Sequence, residues 1–274
     1  MRTGAGEFGV WRMVSGITPE LAEQVEMLGF GAIWLGGSPK GDLDDVEKVL
    51  EATERIPVAT GIVNMWHEDA YMVGESYRRI SEGHPDRFLL GVGIGHPEST
   101  QEYHKPFDKM VNYLDQLDDA DVPREDVVLA ALGPRALALA AKRTRGAHPY
   151  LTTPRHTEHA RRMLGAGPLL APEHKVILDT DPSRARSAGR LVVSRYLNRA
   201  NYRNNLVREG WSEDDLLDGG SDRLVDALVL HGSPEDVAAG LVAHIRAGAD
   251  HVAIQVLGEE PFEMYRELSE ALLG

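Results

Sequence analysis

The run Gly91-Val92-Gly93-Ile94-Gly95-His96 places three glycines at alternate positions and ends on a histidine. At a strand end such spacing lets backbone approach a ligand, because glycine carries no Cβ. It equally suits a crowded strand end that meets no ligand. It is not the Gly-x-Gly-x-x-Gly dinucleotide fingerprint, whose spacing differs and which follows a first strand. His96 reads as a polar loop residue or as a ligand or proton donor, since an imidazole titrates near neutrality. Trp66 reads as a core residue or as the wall of a ring pocket. His67-Glu68 and His84 belong to no metal-ligand spacing, and His-Glu-x-x-His is absent, so no metal site is expected. The chain has no cysteine, which excludes disulfides, thiolate metal sites and a cysteine nucleophile.

Short apolar or β-branched runs alternate with longer helical patterns, which predicts βα units around a parallel sheet. Strands are expected over 8–11, 32–35, 57–63, 87–92, 126–131, 147–151, 175–178 and 251–256. Helices are expected from Pro19 to near Gly29, over 44–55, 70–81 and 106–117, from Pro134 to about Thr144, over 154–164, and over 234–248 and 261–273. Thr18-Pro19, Thr153-Pro154 and Ser233-Pro234-Glu235-Asp236 are strong helix starts, each with a capping hydroxyl before a first-turn proline. Eight strands, each followed by helix, predict a (β/α)8 barrel with extra helices after strand seven, over about 182–230. The 274 residues suit one such barrel of typically about 250, and no linker or repeat divides 1–274, so a single domain is expected. A doubly wound open sheet is the competing architecture; it would want a glycine fingerprint after strand one and fewer units.

Chemistry in such a barrel sits at the C-terminal strand ends. There the sequence offers Trp11, Gly36 to Ser38, Gly61 to Trp66, Gly93 to His96, Ala130 to Arg135, His148, Tyr150, Asp179 and Gln255. Carboxylates are scarce, where a metal hydrolase or glycosidase needs them clustered. A lyase or aldolase would want a lysine or acidic cluster, and none is evident. Small residues suit close approach to a flat ring, and hence a cofactor that brings its own chemistry.

Bulk properties bound the partners. The formal charge is −14, which disfavours nucleic acid and anionic membrane, although a local basic patch could still hold a phosphate. No apolar stretch is long enough for a signal peptide or a membrane span, so a cytoplasmic protein is expected.

Several segments together resemble one family. PVATGIVNMWHEDA followed by DRFLLGVGIGH is similar to strands three and four of the luciferase-like flavin- and deazaflavin-dependent oxidoreductases. VVLAALGPRALALAAKR resembles their fifth strand and its turn into a helix, HGSPEDVAAGLVAHIRAGADHVAIQVL their C-terminal block, and GFGAIWLGGSP their second strand. The likeness covers most of the chain and is weakest over 146–220. It implies a luciferase-like TIM barrel, a third strand bent by a bulge with a non-prolyl cis peptide at Gly61-Ile62, and a homodimer. It also implies a cofactor held by Gly61, Ile62, Val63 and Asn64, by Gly93, Ile94, Gly95 and His96, and by Ala130, Ala131, Leu132, Gly133, Pro134 and Arg135. The last group would cradle a tail or phosphate. Trp11, Ser38, Trp66, His148 and Tyr150 are the expected substrate pocket.

The chain departs from the family in three places. Asp86-Arg87 stands where members usually have Gly-Arg. Gly37 and Ser38 stand where some deazaflavin members carry an Asp-His pair. His96 stands where some relatives have a carboxylate, which makes it the candidate catalytic residue, with His148 and Tyr150 behind it. The pattern is closest to the deazaflavin-dependent members, so coenzyme F420 is expected ahead of FMN. Hydride transfer between F420 and a small organic substrate is the leading expectation. An FMN-dependent monooxygenase using a separately reduced flavin, and a redox-inactive binding protein, are the alternatives.

Overall fold

The computed structural model describes residues 6–96, 105–258 and 261–274. The βα alternation is realised in order. Strand β1 (Phe8–Met13) precedes helix α1 (Pro19–Met27), β2 (Ile33–Gly36) precedes α2 (Asp44–Glu51), and β3 (Val58–Gly61) with its continuation β4 (Val63–Asn64) precedes α3 (Ala70–Gly83). Next come β5 (Phe88–Gly93) and α4 (Pro106–Asp119), β6 (Val127–Leu129) and α5 (Pro134–Arg143), and β7 (Gly146–Ala147) and α6 (Pro154–Leu164). Strands β8 (Leu169–Leu170) and β9 (Glu173–Ile177) lead into α7 (Pro182–Leu197), α8 (Ala200–Arg208) and α9 (Asp222–Leu228). Strand β10 (Val229–His231), α10 (Pro234–Arg246), β11 (Val252–Val256) and α11 (Pro261–Leu273) complete the chain.

All pairings are parallel, in the order β10-β9-β11-β1-β2-β3-β5-β6-β7-β8, with β4 on β5. The segment 169–177 closes the ring. Ala171 donates to the Ala147 carbonyl at 2.9 Å and Glu173 to the Pro149 carbonyl at 2.8 Å, while Pro172 accepts from Ala253 at 2.9 Å. One stave thus touches the sixth strand on one side and the last on the other. The expected eighth strand and capped helices are present, and Ser233 forms a capping box with Asp236.

Two local expectations need correction. The expected sixth strand, 147–151, is only two residues long, Gly146–Ala147, and the chain turns away at Leu151 with φ 56°. Within the expected helical stretch 182–230, residues 229–231 form a strand instead, since β9 offers an open edge at Lys175–Ile177.

The core has two layers. Between sheet and helices lie the outward strand residues, among them Val10, Ile33, Val58, Leu90 and Ile254. Inside the barrel Trp11, Trp34 and Leu89 fill the space left by Ala32, Ala59, Ala171 and Ala253. At the opposite end from the cavity, the Glu26 carboxylate accepts N–H bonds from Glu54, Arg55 and Ile56, and Arg87 donates to the carbonyls of Leu50, Thr53 and Ile56. Asp86, standing where the resembled family has glycine, takes φ 61°. Among the described residues no helix is long and apolar enough to cross a membrane.

Candidate functional site

A break in register builds one wall of the site. Ala59 pairs with Leu89, but Val63 pairs with Val92, so four steps along the third stave oppose three along β5. That is a β-bulge. Thr60 bridges it: its hydroxyl donates to the Gly91 carbonyl and accepts the Gly91 N–H, each at 2.8 Å. The Gly61-Ile62 peptide within the bulge is cis, at the position the resemblance implies.

Above the bulge, at the C-terminal end of the barrel, lies a cavity of about 580 Å³. Gly61, Ile62 and Asn64 line it from the third stave, Ile94, Gly95 and His96 from the end of β5, and Ala130 to Gly133 from the turn before α5. Trp11, Ser38, His148 and Tyr150 of the expected pocket also face it. Five expected residues do not line it. Val63 faces outward into the core. Gly93 faces inward, but Ile62 and Ala130 stand in front of it, about 3 Å from where a Cβ would lie. Pro134 and Arg135 are exposed on α5, with Arg135 over the Phe107 ring at 4.1 Å. Trp66 packs beside Lys109, whose Nζ lies 5.4 Å from its ring.

Close approach at Gly61 is required by its neighbours. A Cβ there would lie 2.8 Å from Trp11 Nε1 and 3.1 Å from His148 Nε2. Gly36 is likewise covered by the Trp11 ring. Gly95, at φ 55°, lies against Asn64, whose Oδ1 accepts the Trp66 N–H and shapes the turn after β4.

The floor is aromatic and neutral. His148 stacks on Trp34 at 4.2 Å and 12°, and burial pushes its pKa down to about 4. Tyr150 donates to Gln255 Oε1 at 3.0 Å and meets the Tyr196 hydroxyl at 2.8 Å; burial raises both phenols. Beneath Tyr150 lies an ion pair that the sequence did not disclose. Lys175 Nζ sits 3.7 Å from the Tyr150 ring centre and 2.8 Å from Glu173, and both residues are fully buried. Burial pushes Glu173 up and Lys175 down, against their mutual attraction. Neither lines the cavity, so Lys175 has no route to a ligand there.

The roof comes from the segment after β9, which sequence reasoning treated only as extra helix. The chain breaks at Arg199, with φ −109° and ψ 120°, and α8 turns across the barrel mouth. Tyr196, Arg199, Asn201, Tyr202, Asn204 and Arg208 thereby line the cavity. The density of Tyr, Asn and Arg in 196–208, with little apolar periodicity, is the signal that marks this stretch as more than packing. His96 lies 5.3 Å from the Tyr202 ring and 6.5 Å from that of Tyr196, and its Nδ1 is buried without a partner among the described residues.

Charge is distributed against the chain's overall sign. Despite a net −14, no carboxylate lines the cavity among the described residues, while Arg199 and Arg208 do. Arg208 lies over Gly133, where no side chain caps α5, so first-turn N–H groups remain open to an anion. Among the described residues no three His, Asp or Glu converge as a metal would need.

Comparison with solved structures identifies the architecture. An F420-dependent secondary alcohol dehydrogenase, solved with an F420-acetone adduct, superposes with a TM-score of 0.77 at 13% identity, over 97% of this chain and 98% of that one. The chain has the luciferase-like barrel fold. The oxygenating constituent of 3,6-diketocamphane monooxygenase from Pseudomonas putida, in complex with FMN, gives a TM-score of 0.68 at 16% identity, over 98% of both chains. By sequence the chain is 24% identical to a 5,10-methylenetetrahydromethanopterin reductase of Archaeoglobus fulgidus, over 81% of this chain and 82% of that protein. No protein-family model matches.

Proposed function

We propose that this luciferase-like barrel is an oxidoreductase that holds coenzyme F420 in its cavity and transfers a hydride between it and a small organic molecule. The observation that carries the reading is the cavity's make-up: nearly bare backbone at Gly61, Gly95, Ala130 and Ala131 on one side, and arginines without carboxylates on the other. Bare backbone admits a flat tricycle, and the arginines suit a phosphate-bearing tail. The residues fit such a group. Gly61 keeps its backbone bare where a Cβ would press on Trp11 and His148, and among the described residues Trp11 Nε1 and His148 Nε2 are buried beside it without hydrogen-bond partners. When bound, the deazaflavin supplies or accepts the hydride.

The chain's own groups do the rest. Ile62 backs the ring at the bulge. Gly133, the open first turn of α5 and Arg208 hold the phosphate. Trp11, His148 and Tyr150 close the floor and exclude water, which strengthens every polar contact above them. His96, beside Tyr196 and Tyr202, gives or takes the substrate proton.

The F420-dependent dehydrogenase to which the chain is similar in fold supports F420. The FMN-bound neighbour supports a second reading, an FMN-dependent monooxygenase in which the same cavity takes FMN reduced elsewhere. Gly37 and Ser38, at the position of the Asp-His pair in some deazaflavin members, favour that alternative. A binding titration with F420 and with FMN decides between them. Micromolar binding of F420 alone is the expected result; binding of neither would leave the barrel redox-inactive. For His96, the His96→Ala variant is expected to lose turnover roughly 100-fold or more. An unchanged pH-rate profile would remove His96 from proton transfer.

A further inference from the structure

Two arginines line the cavity, and they stand at opposite ends of α8. Arg208 closes the helix and Arg199 immediately precedes it, so at 1.5 Å of rise per residue their backbones lie about 13 Å apart. Their guanidinium groups serve different walls. Arg208 donates to Asn205 Oδ1 at 3.2 Å and lies over Gly133, where the open first turn of α5 awaits a phosphate. Arg199 lies 5.5 Å from the ring centre of Tyr196, on the other side of the break in the chain. One phosphate accounts for Arg208 and leaves Arg199 unexplained.

The arginines of this segment that do not line the cavity are paired. Arg184 meets Asp179 and Asp181, Arg186 meets Asp226, Arg190 meets Asp222 and Arg223 meets Asp215. With 43 acidic residues against 29 basic ones, a carboxylate partner is easily supplied. Arg199 has none among the described residues, although it is half-buried. None of its nitrogens is sealed away, so the guanidinium stays open to a ligand in the cavity. A half-buried cation without a counter-charge marks the place of an anion from outside the chain. That place belongs to the reacting end of the site. The Tyr196 and Tyr202 rings lie 5.0 Å apart, and His96 lies 5.3 Å from the Tyr202 ring, so Arg199 shares one aromatic wall with the candidate proton carrier.

We infer that the substrate is a carboxylic acid, whose carboxylate Arg199 holds beside the Tyr196–Tyr202 wall while its reacting carbon lies toward His96. The inference rests on the proposed hydride-transfer site and names the substrate class of that site. A guanidinium meets a carboxylate with two parallel N–H bonds, so it orients the acid as well as binding it. The glutamate tail of F420 carries carboxylates too. It leaves the phosphate at the Arg208 end, however, whereas Arg199 stands beside the phenols of the floor, Tyr196 meeting the Tyr150 hydroxyl at 2.8 Å. Arg199 thus selects the acid over its neutral amide, which offers no charge to pair.

The test is a calorimetric titration of the full chain, saturated with whichever of F420 and FMN it binds, with benzoate and with hexanoate, each against its amide. The acids are expected to bind the native protein about tenfold more tightly than the amides at low salt. Arg199→Gln should bring each acid down to the affinity of its amide while leaving the amides and the cofactor bound as before, a pattern that misfolding cannot mimic. Arg199→Lys should restore part of the preference. Acids that fail to bind, bind no better than their amides, or bind Arg199→Gln as tightly as the native protein would overturn the inference and leave the cofactor site standing. Weaker binding of F420 by Arg199→Gln, with no such loss for F420 stripped of its glutamates, would give the arginine to the tail and overturn it equally. Failure of the native protein to bind F420 or FMN at all would take down the proposed function and the inference together.

Discussion

At the scale of single residues, Gly61 and Gly93 separate two uses of the same residue type. A methyl group at Gly61 would occupy the space between Trp11 Nε1 and His148 Nε2, and neither ring can retreat: Trp11 lies on Gly36 and His148 on Trp34. Gly61→Ala should therefore weaken cofactor binding by at least about tenfold, with an overpacking cost of about 1–3 kcal/mol. Gly93→Ala meets Ala130 and Ile62 rather than the cavity, so it should lower stability by a similar amount with much less effect on affinity. Titrations and urea midpoints of the two variants, measured side by side, check this. If Gly61→Ala bound cofactor normally, no ring could rest on that bulge. Both glycines, like His96, Trp11 and His148, were legible as strand-end residues. Which of them face the cavity was not, because that depends on one extra residue in the third stave and on the Ile62 side chain.

At the scale of elements, the third stave and α8 shape the site from opposite sides. Thr60 spans the register break, satisfying both backbone groups of Gly91 where the ladder is interrupted. Thr60→Val keeps the shape and leaves those two groups buried and unpaired, so a loss of about 2–4 kcal/mol is expected in chemical denaturation. A loss below about 0.5 kcal/mol would mean that the bulge is held by packing alone. Across the cavity, Arg208 and the open end of α5 are placed for an anion. FMN and riboflavin differ in the phosphate, so Arg208→Ala should reduce the preference for FMN over riboflavin by about fivefold, a modest factor because this arginine is exposed. An unaltered ratio would place the phosphate elsewhere. The alternation of strands and helices was legible because each βα unit carries its own periodicity and caps. The turn of α8 over the mouth was not: no proline or glycine marks Arg199, and its extended backbone is fixed by tertiary packing. The ion pair of Lys175 and Glu173 was equally hidden, since strand seven reads as a short apolar run and its inward face was not assigned.

At the scale of the whole molecule, closing the ring buries histidines that an open sheet would leave wet. Burial is the largest cause in each case: His148 and His251 are pushed down to about 4, His244 to about 3, and His156 and His174 also below their ordinary value. His174, His244 and Thr157 form one hydrogen-bonded chain between the seventh stave and helices α10 and α6. In the unfolded chain each imidazole gains its proton near pH 6.5, whereas the folded protein refuses it until far lower pH. Unfolding therefore takes up protons between these limits. Stability is full above about 6.5 and falls as pH drops through 6.5 toward 4, each imidazole held near 4 contributing roughly 3 kcal/mol to the loss. Two or three such groups rival the whole stability of an ordinary domain, about 5–15 kcal/mol. Carboxylates paired with arginine act later: Asp118, bonded to Arg124 and Arg143, is held below its usual range and stays charged to lower pH. The urea midpoint should accordingly be flat from pH 8 to 7 and drop steeply between 6.5 and 5, before most carboxylates titrate. A midpoint level down to pH 5 would show that these histidines are not held neutral in the folded protein.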